Sequence, residues 1–247
     1  MKATRFEFRF RVAIITALYF LGFWAPWERF GPASNSLRLW SWLAIQAART
    51  NLVTTNASYI AITVAAVAMA LLGAWLRVWG TAYLGNFVMR NRALLAGQVM
   101  ASGPYRHLRN PLYLGLLLSS AAVSILMPVT GAAVFLVGLT LLTLRLIGAE
   151  ESFLGGRLGE DYAHYRKAVP SIIPAVRSRL GASTAKPRWA QSLLAEVYPV
   201  GIALCFTVLA WNYNADLLTR CVLVCFGASL VVRALTPSRT NAPVGTA

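Results

Sequence analysis

The sequence predicts an all-α, polytopic helical membrane protein with about six transmembrane helices and a helical hairpin between two cytoplasmic loops. Of its 247 residues, 57% are hydrophobic and only 13% are charged, whereas a soluble domain is about 45–50% apolar and about 25% charged. Several apolar runs also approach the roughly 20 residues that cross a bilayer. The charge is lopsided, with 23 Lys+Arg against 8 Asp+Glu. This composition excludes a soluble globular domain, a disordered chain, collagen and a disulfide scaffold.

The apolar runs define most of the predicted helices. Residues 57–79 carry no charge before Arg77 and form the clearest span. Residues 112–147 are too long for one crossing, and the segment Met-Pro-Val-Thr-Gly at 127–131 in their middle indicates the turn of a helical hairpin. Two further spans are predicted at 193–211 and 217–232.

The N-terminal region is predicted to hold one anchor and one interfacial helix. Residues 12–27 are apolar behind four basic residues, and no small-residue cleavage pattern follows them, which favours an uncleaved anchor over a signal peptide. Residues 37–48 contain Trp40 and Trp42 but form only a short apolar run. That length suits a helix lying at the membrane interface rather than one crossing it.

The basic residues predict the orientation. With six spans, 19 of the 23 lie on one side together with both termini, and only Arg29, Arg38, Arg49 and Arg220 lie on the other. The positive-inside rule then places both termini and the loops at 78–111 and 148–192 in the cytoplasm, which in a bacterium means the inner membrane. The basic balance is explained by orientation and anionic membrane lipids, so no nucleic acid partner is expected.

Cysteine and histidine give no sign of a metal site. Cys205, Cys221 and Cys225 all fall in predicted membrane helices, where cysteine packs as a small hydrophobe. His107 and His164 lie in different loops. The sequence has no CxxC, no HExxH, no P-loop and no GxGxxG after a strand, so no metal or nucleotide motif is predicted.

The first loop ends in a stretch that resembles a binding site. Asn110 is a suitable N-cap and Pro111 a suitable first residue for the helix that opens the hairpin. The free backbone amides at the start of that helix, together with Arg106 and Arg109, predict an anion-binding site. Tyr105 and Tyr113 add aromatic faces that suit a cation. A juxtamembrane loop with arginines at lipid headgroups and tyrosines in an aromatic belt explains the same residues.

A pair of adjacent carboxylates follows the hairpin. Glu150 and Glu151 end an apolar helix, where the helix dipole disfavours anions. We therefore expect compensation by Arg145, Arg106 or Arg109. Ionisable residues at membrane depth indicate function, although solvation at headgroup level is the simpler alternative.

Four motifs in order carry a family resemblance. They are Gly-Pro-Tyr at 103–105, Arg-Asn-Pro-Leu-Tyr-Leu-Gly at 109–115, Glu-Glu-Ser-Phe-Leu at 150–154, and a Gly-Glu-Asp-Tyr segment at 159–170 that ends in proline. This set resembles the isoprenylcysteine carboxyl methyltransferases and their relatives, the phospholipid methyltransferases. The resemblance covers roughly residues 57–175.

The resemblance implies a methyltransferase that binds S-adenosylmethionine in its cytoplasmic loops. The acceptor would be lipid-like, either the carboxylate of a prenylated cysteine-like compound or a lipid amine. The implied cofactor-binding residues are Gly97, Gln98, Val99, Met100, Tyr105, Arg109, Asn110, Pro111, Leu112, Tyr113 and Glu150. The implied catalytic residues are Arg145, one position away from the family's acceptor-binding arginine, and Glu151. Asn110 stands where the family often has histidine, and an amide cannot act as a base.

This interpretation divides the chain into three parts. They are an N-terminal anchor and interfacial segment (1–56), a methyltransferase core (57–180) and two additional C-terminal transmembrane helices with a tail (181–247). A sterol- or steroid-type membrane reductase using NADPH shares a related motif, but residues 109–115 lack its asparagine before the tyrosine. A non-catalytic protein with a decayed methyltransferase core is the third possibility.

Overall fold

The computed structural model describes residues 2–30, 37–84, 101–178, 180–181 and 185–235, and the described residues are helical or irregular. The helices are α1 (Arg5–Arg9), α2 (Arg11–Trp24), α3 (Trp27–Phe30), α4 (Leu39–Ala48), α5 (Thr55–Leu84), α6 (Pro111–Ser124), α7 (Val129–Ala168), α8 (Trp189–Ala195), α9 (Val197–Leu209) and α10 (Ala215–Leu235). Short 3₁₀ turns occupy Gly103–Arg106 and Ala210–Asn212. The predicted all-helical class is thus confirmed.

Three described helices are long and apolar enough to cross a membrane. They are α5, α7 and residues Ala215–Val232 of α10, and α8 with α9 make a fourth if this pair, bent by 80°, counts as one span. The 14-residue helices α2 and α6 are only about 21 Å long, against a hydrocarbon core of about 30 Å. The described residues therefore contain three or four candidate membrane spans, and the count of six stays a prediction.

The hairpin is formed by α6 and α7, as predicted, with its turn at residues 125–128. The turn is bound by the beginning of α4, where the backbone amides of Leu39 and Trp40 donate to the carbonyls of Met127 (2.8 Å) and Ile125 (2.9 Å). These bonds satisfy carbonyls that the end of α6 leaves free. Helix α4 is too short to cross, but Trp40 is only 2% exposed and packs in the core instead of facing an interface.

Helices α5 and α6 cross at small residues. A Cβ added to Gly115 would lie 2.7 Å from the carbonyl oxygen of Gly73 and 2.6 Å from Cγ of Arg77. Both distances are too short for a side chain, so the absence of one lets the two backbones approach closely. This crossing brings Arg77 on α5 against the first turns of α6.

The C-terminal helices belong to the same core as α5. Phe206 and Leu218 are fully buried together with Ala66 and Ala70 of α5. At the bend between α8 and α9, Glu196 is 1% exposed and accepts hydrogen bonds from Nε of Arg77 (2.6 Å) and from Oγ1 of Thr81 (2.7 Å). The division at residue 181 therefore does not separate the packing of the described residues into two cores.

The N-terminal helix is held to α7 by an ion pair. Nε and Nη2 of Arg145 donate to the two carboxylate oxygens of Glu7 at 2.9 and 2.8 Å. The amide of Ala3 also donates to the carbonyl of Arg145 (2.9 Å). This pairing removes Arg145 from the candidates for compensating Glu150 and Glu151, because its guanidinium already faces a carboxylate.

The Glu7–Arg145 pair predicts how the attachment of α1 depends on pH. The guanidinium of Arg145 lowers the pKa of Glu7 from 4.5 to about 2. Because this carboxyl titrates lower in the folded state, its contribution is complete above about pH 4.5 and is lost as the pH falls through about 2. We expect amide hydrogen exchange of residues 5–9 to stay protected from pH 7 down to 5 and to increase only below about 4.5, after correction for intrinsic rates. The variant Glu7→Gln should show the faster exchange at every pH, and loss of protection between pH 7 and 5 would contradict the assignment.

Candidate active site

The second half of α7 and the segment after it meet the loop before α6. The amide of Arg109 donates to the carbonyl of Pro170 (2.9 Å), and the amide of Asn110 donates to the carbonyl of Ser171 (3.2 Å). Pro170 cannot continue α7, so the chain leaves the helix there and pairs with the loop. The two loops that flank the hairpin are thereby joined at one end of it.

Glu151 is the centre of a largely buried polar network. Its two carboxylate oxygens accept from Nε and Nη2 of Arg109, both at 3.0 Å, and one of them also accepts from Nδ2 of Asn110 (3.1 Å) and Oγ of Ser171 (2.9 Å). The Arg109 and Glu151 side chains are only 10% and 15% exposed. Such a bidentate ion pair is among the stronger charge-assisted hydrogen-bonded interactions. It fixes the relative orientation of the two side chains as well as pairing their charges.

The third nitrogen of the Arg109 guanidinium caps the C-terminal end of α7. This atom, Nη1, donates to the carbonyls of Arg166 and Val169, each at 2.8 Å. A cation is favourable at this negative end of the helix dipole. Arg109 therefore joins the carboxylate of Glu151, the end of α7 and the beginning of α6 into one unit.

The neighbouring carboxylate has a different partner. The hydroxyl of Tyr113, in the first turn of α6, donates to the carboxylate of Glu150. Tyr113 is 9% exposed and packs with Leu142, Leu146 and Ile147 of α7. Adjacent residues on a helix point about 100° apart, which is why Glu150 meets Tyr113 while Glu151 meets Arg109.

Tyr105 is buried within the 3₁₀ turn Gly103–Arg106. Its carbonyl accepts a hydrogen bond from the hydroxyl of Tyr165 (2.8 Å), a residue of the polar end of α7. That end is redirected at Gly159, whose φ of 55° breaks the helix. The turn is thus held against the same end of α7 that carries the network.

The structure brings most of the expected residues to this end of the hairpin. Tyr105 and Arg109 approach α7 from the loop, Pro111 and Leu112 begin α6 against Gly80 of α5, and the two acidic residues face them from α7. Gly97, Gln98, Val99 and Met100 lie outside the described residues. Ser171 was missed, because a serine after a proline carries no signal that it will bind a carboxylate.

Two expected interactions are wrong. Asn110 occupies the N-cap position of α6, but its side chain makes no cap hydrogen bond and donates to Glu151 and Ser171 instead. The predicted anion place between Asn110, Arg106 and Arg109 is used by the protein itself: Arg109 binds Glu151, and Nη2 of Arg106 donates to the carbonyl of Leu180 (2.7 Å). The expected compensation of the Glu150–Glu151 pair by one of three arginines is confirmed for Arg109 and Glu151. Local spacing could not show that this ion pair would occupy the predicted anion site.

The fold and this site define an integral membrane protein with a polar, Tyr- and Glu-containing centre at one end of a helical hairpin. Residues 61–161 match the family model described as phospholipid methyltransferase. Through this segment the chain is similar to the phospholipid methyltransferases, which are S-adenosylmethionine-dependent membrane enzymes. No significant match was found among curated proteins or among solved structures. The family match favours a methyltransferase over the NADPH reductase alternative.

Proposed function

We propose that the protein transfers the methyl group of S-adenosylmethionine to a membrane lipid, and that the Tyr113–Glu150 pair is the centre of its cofactor site. The hydrogen bond between these two residues carries the proposal. Both lie within the matched segment, at the point where the apolar hairpin meets its polar loops. A phospholipid-like acceptor follows from the family, and a prenylated carboxylate is the second candidate.

The chemistry of these residues suits the cofactor. S-adenosylmethionine carries a sulfonium, an ammonium and a carboxylate. The carboxylate of Glu150 suits the ammonium or the ribose hydroxyls, and the rings of Tyr113 and Tyr105 suit the sulfonium, because aromatic faces attract cations. Tyr113 also orients Glu150, so the acidic group is positioned before the cofactor binds.

We propose a positioning role for Glu151 and Arg109 in place of direct catalysis or cofactor contact. The oxygens of Glu151 accept hydrogen bonds from three residues, so little capacity remains for a proton from the acceptor. Arg109 is equally committed to Glu151 and to two carbonyls. Arg145, expected to bind the acceptor, faces Glu7 and has no place in our proposal.

Methyl transfer depends mainly on how the cofactor and the acceptor are positioned relative to each other. The bound cofactor supplies an already activated methyl group, which an acceptor must approach in line at about 3–3.5 Å with water excluded. A carboxylate acceptor needs no base, whereas an ammonium acceptor must first lose a proton. Asn110 cannot take that proton, and Nδ1 of His107 lies 2.9 Å from the carbonyl of Ala175.

A cytoplasmic site with both termini on the same side is part of the proposal. Glu7 near the N-terminus contacts α7 close to the site. At the opposite end, the hairpin turn lies beside Arg38, which pairs with Asp216 at the beginning of α10 (2.5 Å). Helix α10 therefore runs from the turn end toward the site end, in agreement with the asymmetry of the basic residues.

Labelling of whole membranes tests the function. Membranes containing the protein are incubated with methyl-labelled S-adenosylmethionine, and the labelled lipids are identified by mass spectrometry against membranes lacking it. We expect label in a lipid, stable to base for an amine acceptor and released by base for a methyl ester. Absence of both labelled lipid and saturable binding of S-adenosylmethionine to the purified protein would overturn the proposal.

A further inference from the structure

A cavity of about 240 Å³ lies between α2 and the C-terminal helices, apart from the Tyr113–Glu150 pair. Its walls are mainly apolar and include Ile15 and Phe23 of α2, Val197 and Pro199 of α9, and Phe226 of α10. Helix α2 packs mainly against α7, so the cavity separates it from α9 and α10. Most of this lining comes from outside the segment that matches the family.

One part of the cavity is polar. Arg77 lines it, and the hydrogen bonds that Arg77 makes to described residues use Nε, toward Glu196 (2.6 Å), and Nη1, toward the carbonyl of Leu112 (3.3 Å). Its side chain is 22% exposed, whereas that of Glu196 is 1% exposed. An arginine at membrane depth is costly and usually has a function. Here the carboxylate of Glu196 binds the guanidinium through its Nε alone.

Ser119 of α6 supplies a second, independent observation. It lines the same cavity and is only 4% exposed, yet among the described residues its Oγ has no hydrogen-bond partner. Burying a hydroxyl without a hydrogen-bond partner is unfavourable. A ligand with a carbonyl or hydroxyl oxygen at this point would supply the missing bond.

The polar part of the cavity adjoins the proposed cofactor site. Arg77 binds the carbonyl of Leu112, the residue immediately before Tyr113. Leu116, one turn further along α6, lines the cavity. A molecule lying in the cavity with its polar end at Arg77 would therefore have that end within a few ångströms of the backbone that carries Tyr113.

We propose that this cavity binds one apolar chain of the lipid acceptor, with Arg77 facing the acceptor's anionic group and Ser119 its first ester or hydroxyl oxygen. This inference rests on the proposed function, because it assigns the occupant as the acceptor. Burial of an apolar chain is favourable in proportion to the apolar surface removed from water, so apolar walls of this kind select a lipid over a water-soluble acceptor. The N-terminal anchor and the C-terminal helices thereby become parts of the acceptor site.

Filling the cavity from two opposite walls tests the inference. Ser229→Phe on α10 and Thr16→Phe on α2 place a ring in the cavity, whereas Ala228→Phe and Ala17→Phe add the same ring at exposed neighbouring positions. Each variant is reconstituted in phosphatidylglycerol–phosphatidylethanolamine vesicles with a trace of phosphatidylethanolamine carrying a diazirine on one acyl chain. After illumination, labelled peptides are mapped by mass spectrometry.

We expect labels on α2 and α10, reduced about tenfold by the two filling variants because several buried methylenes are displaced, and unchanged by the two controls. Equal labelling in all four variants would overturn the inference. Labelling that is lost while methyl transfer continues at the wild-type rate would also overturn it, because the occupant would then be a lipid other than the acceptor. The photolabelling does not use S-adenosylmethionine, so failure of cofactor binding would count against the proposed function alone.

The role of Arg77 is tested by removing both charges of its pair. Arg77→Gln with Glu196→Gln leaves no unpaired buried charge, so the fold should survive. We expect this double variant to lose labelling by the phosphatidylethanolamine probe relative to a diazirine-acyl diacylglycerol, which has no phosphate. An unchanged ratio between the two probes would remove Arg77 from the anionic subsite.

Discussion

Glu150→Gln should lower the affinity for S-adenosylmethionine by about tenfold or more while the protein remains folded and inserted. The substitution keeps the shape of the side chain and an oxygen that can accept from Tyr113, but it removes the negative charge. Hydrogen bonds to charged groups contribute about 1.5–3 kcal/mol, and 1.4 kcal/mol corresponds to tenfold in affinity. Binding of labelled S-adenosylmethionine to detergent-purified protein measures the effect.

Glu160→Gln is the matched control for this prediction. Glu160 is exposed and lies beyond the break at Gly159 on the same helix, so its neutralisation should leave the affinity unchanged. Tyr113→Phe should weaken binding less than Glu150→Gln, because the carboxylate remains and loses only its orienting hydroxyl. Wild-type affinity in Glu150→Gln would remove Glu150 from the cofactor site.

Arg109→Ala should destabilise the fold by about 3–5 kcal/mol, the cost of leaving one member of a buried ion pair alone. The carboxylate of Glu151 would lose its cation, and the carbonyls of Arg166 and Val169 would lose a donor. For a protein of this size the loss corresponds to a fall in Tm of about 10 °C. Intrinsic tryptophan fluorescence of the detergent-solubilised protein during heating reports the transition.

Two further variants separate this effect from general damage. Arg157→Ala removes an exposed arginine from α7 and should leave Tm within about 1–2 °C of wild type, as surface substitutions usually do. Arg109→Leu combined with Glu151→Leu removes both charges and should be less destabilised than Arg109→Ala. If Arg109→Ala unfolds like wild type but loses the cofactor, the arginine contacts ligand and our positioning role for it is wrong.

The hairpin and its polar end could be predicted because their signals are local. Pro128 marks the turn without any partner being known, and Asn110-Pro111 marks the beginning of α6. The lengths of the membrane-crossing helices are harder to predict from the sequence. An apolar run shows where a helix can lie in lipid, but α2 ends at Trp24 and α6 at Ser124, well before about 20 residues are reached.

The sequence by itself determined the membrane class, the hairpin and the set of residues gathered at its polar end, because composition and turn chemistry act over a few neighbouring residues. Only the tertiary structure decided which acid meets which base. Glu151 binds Arg109 from 42 positions away, Glu196 binds Arg77 from 119 and Glu7 binds Arg145 from 138. These partners depend on which helix faces pack together. The same packing places Glu151 at the predicted anion site, where it forms an internal ion pair with Arg109. It also places Arg77 beside an apolar cavity.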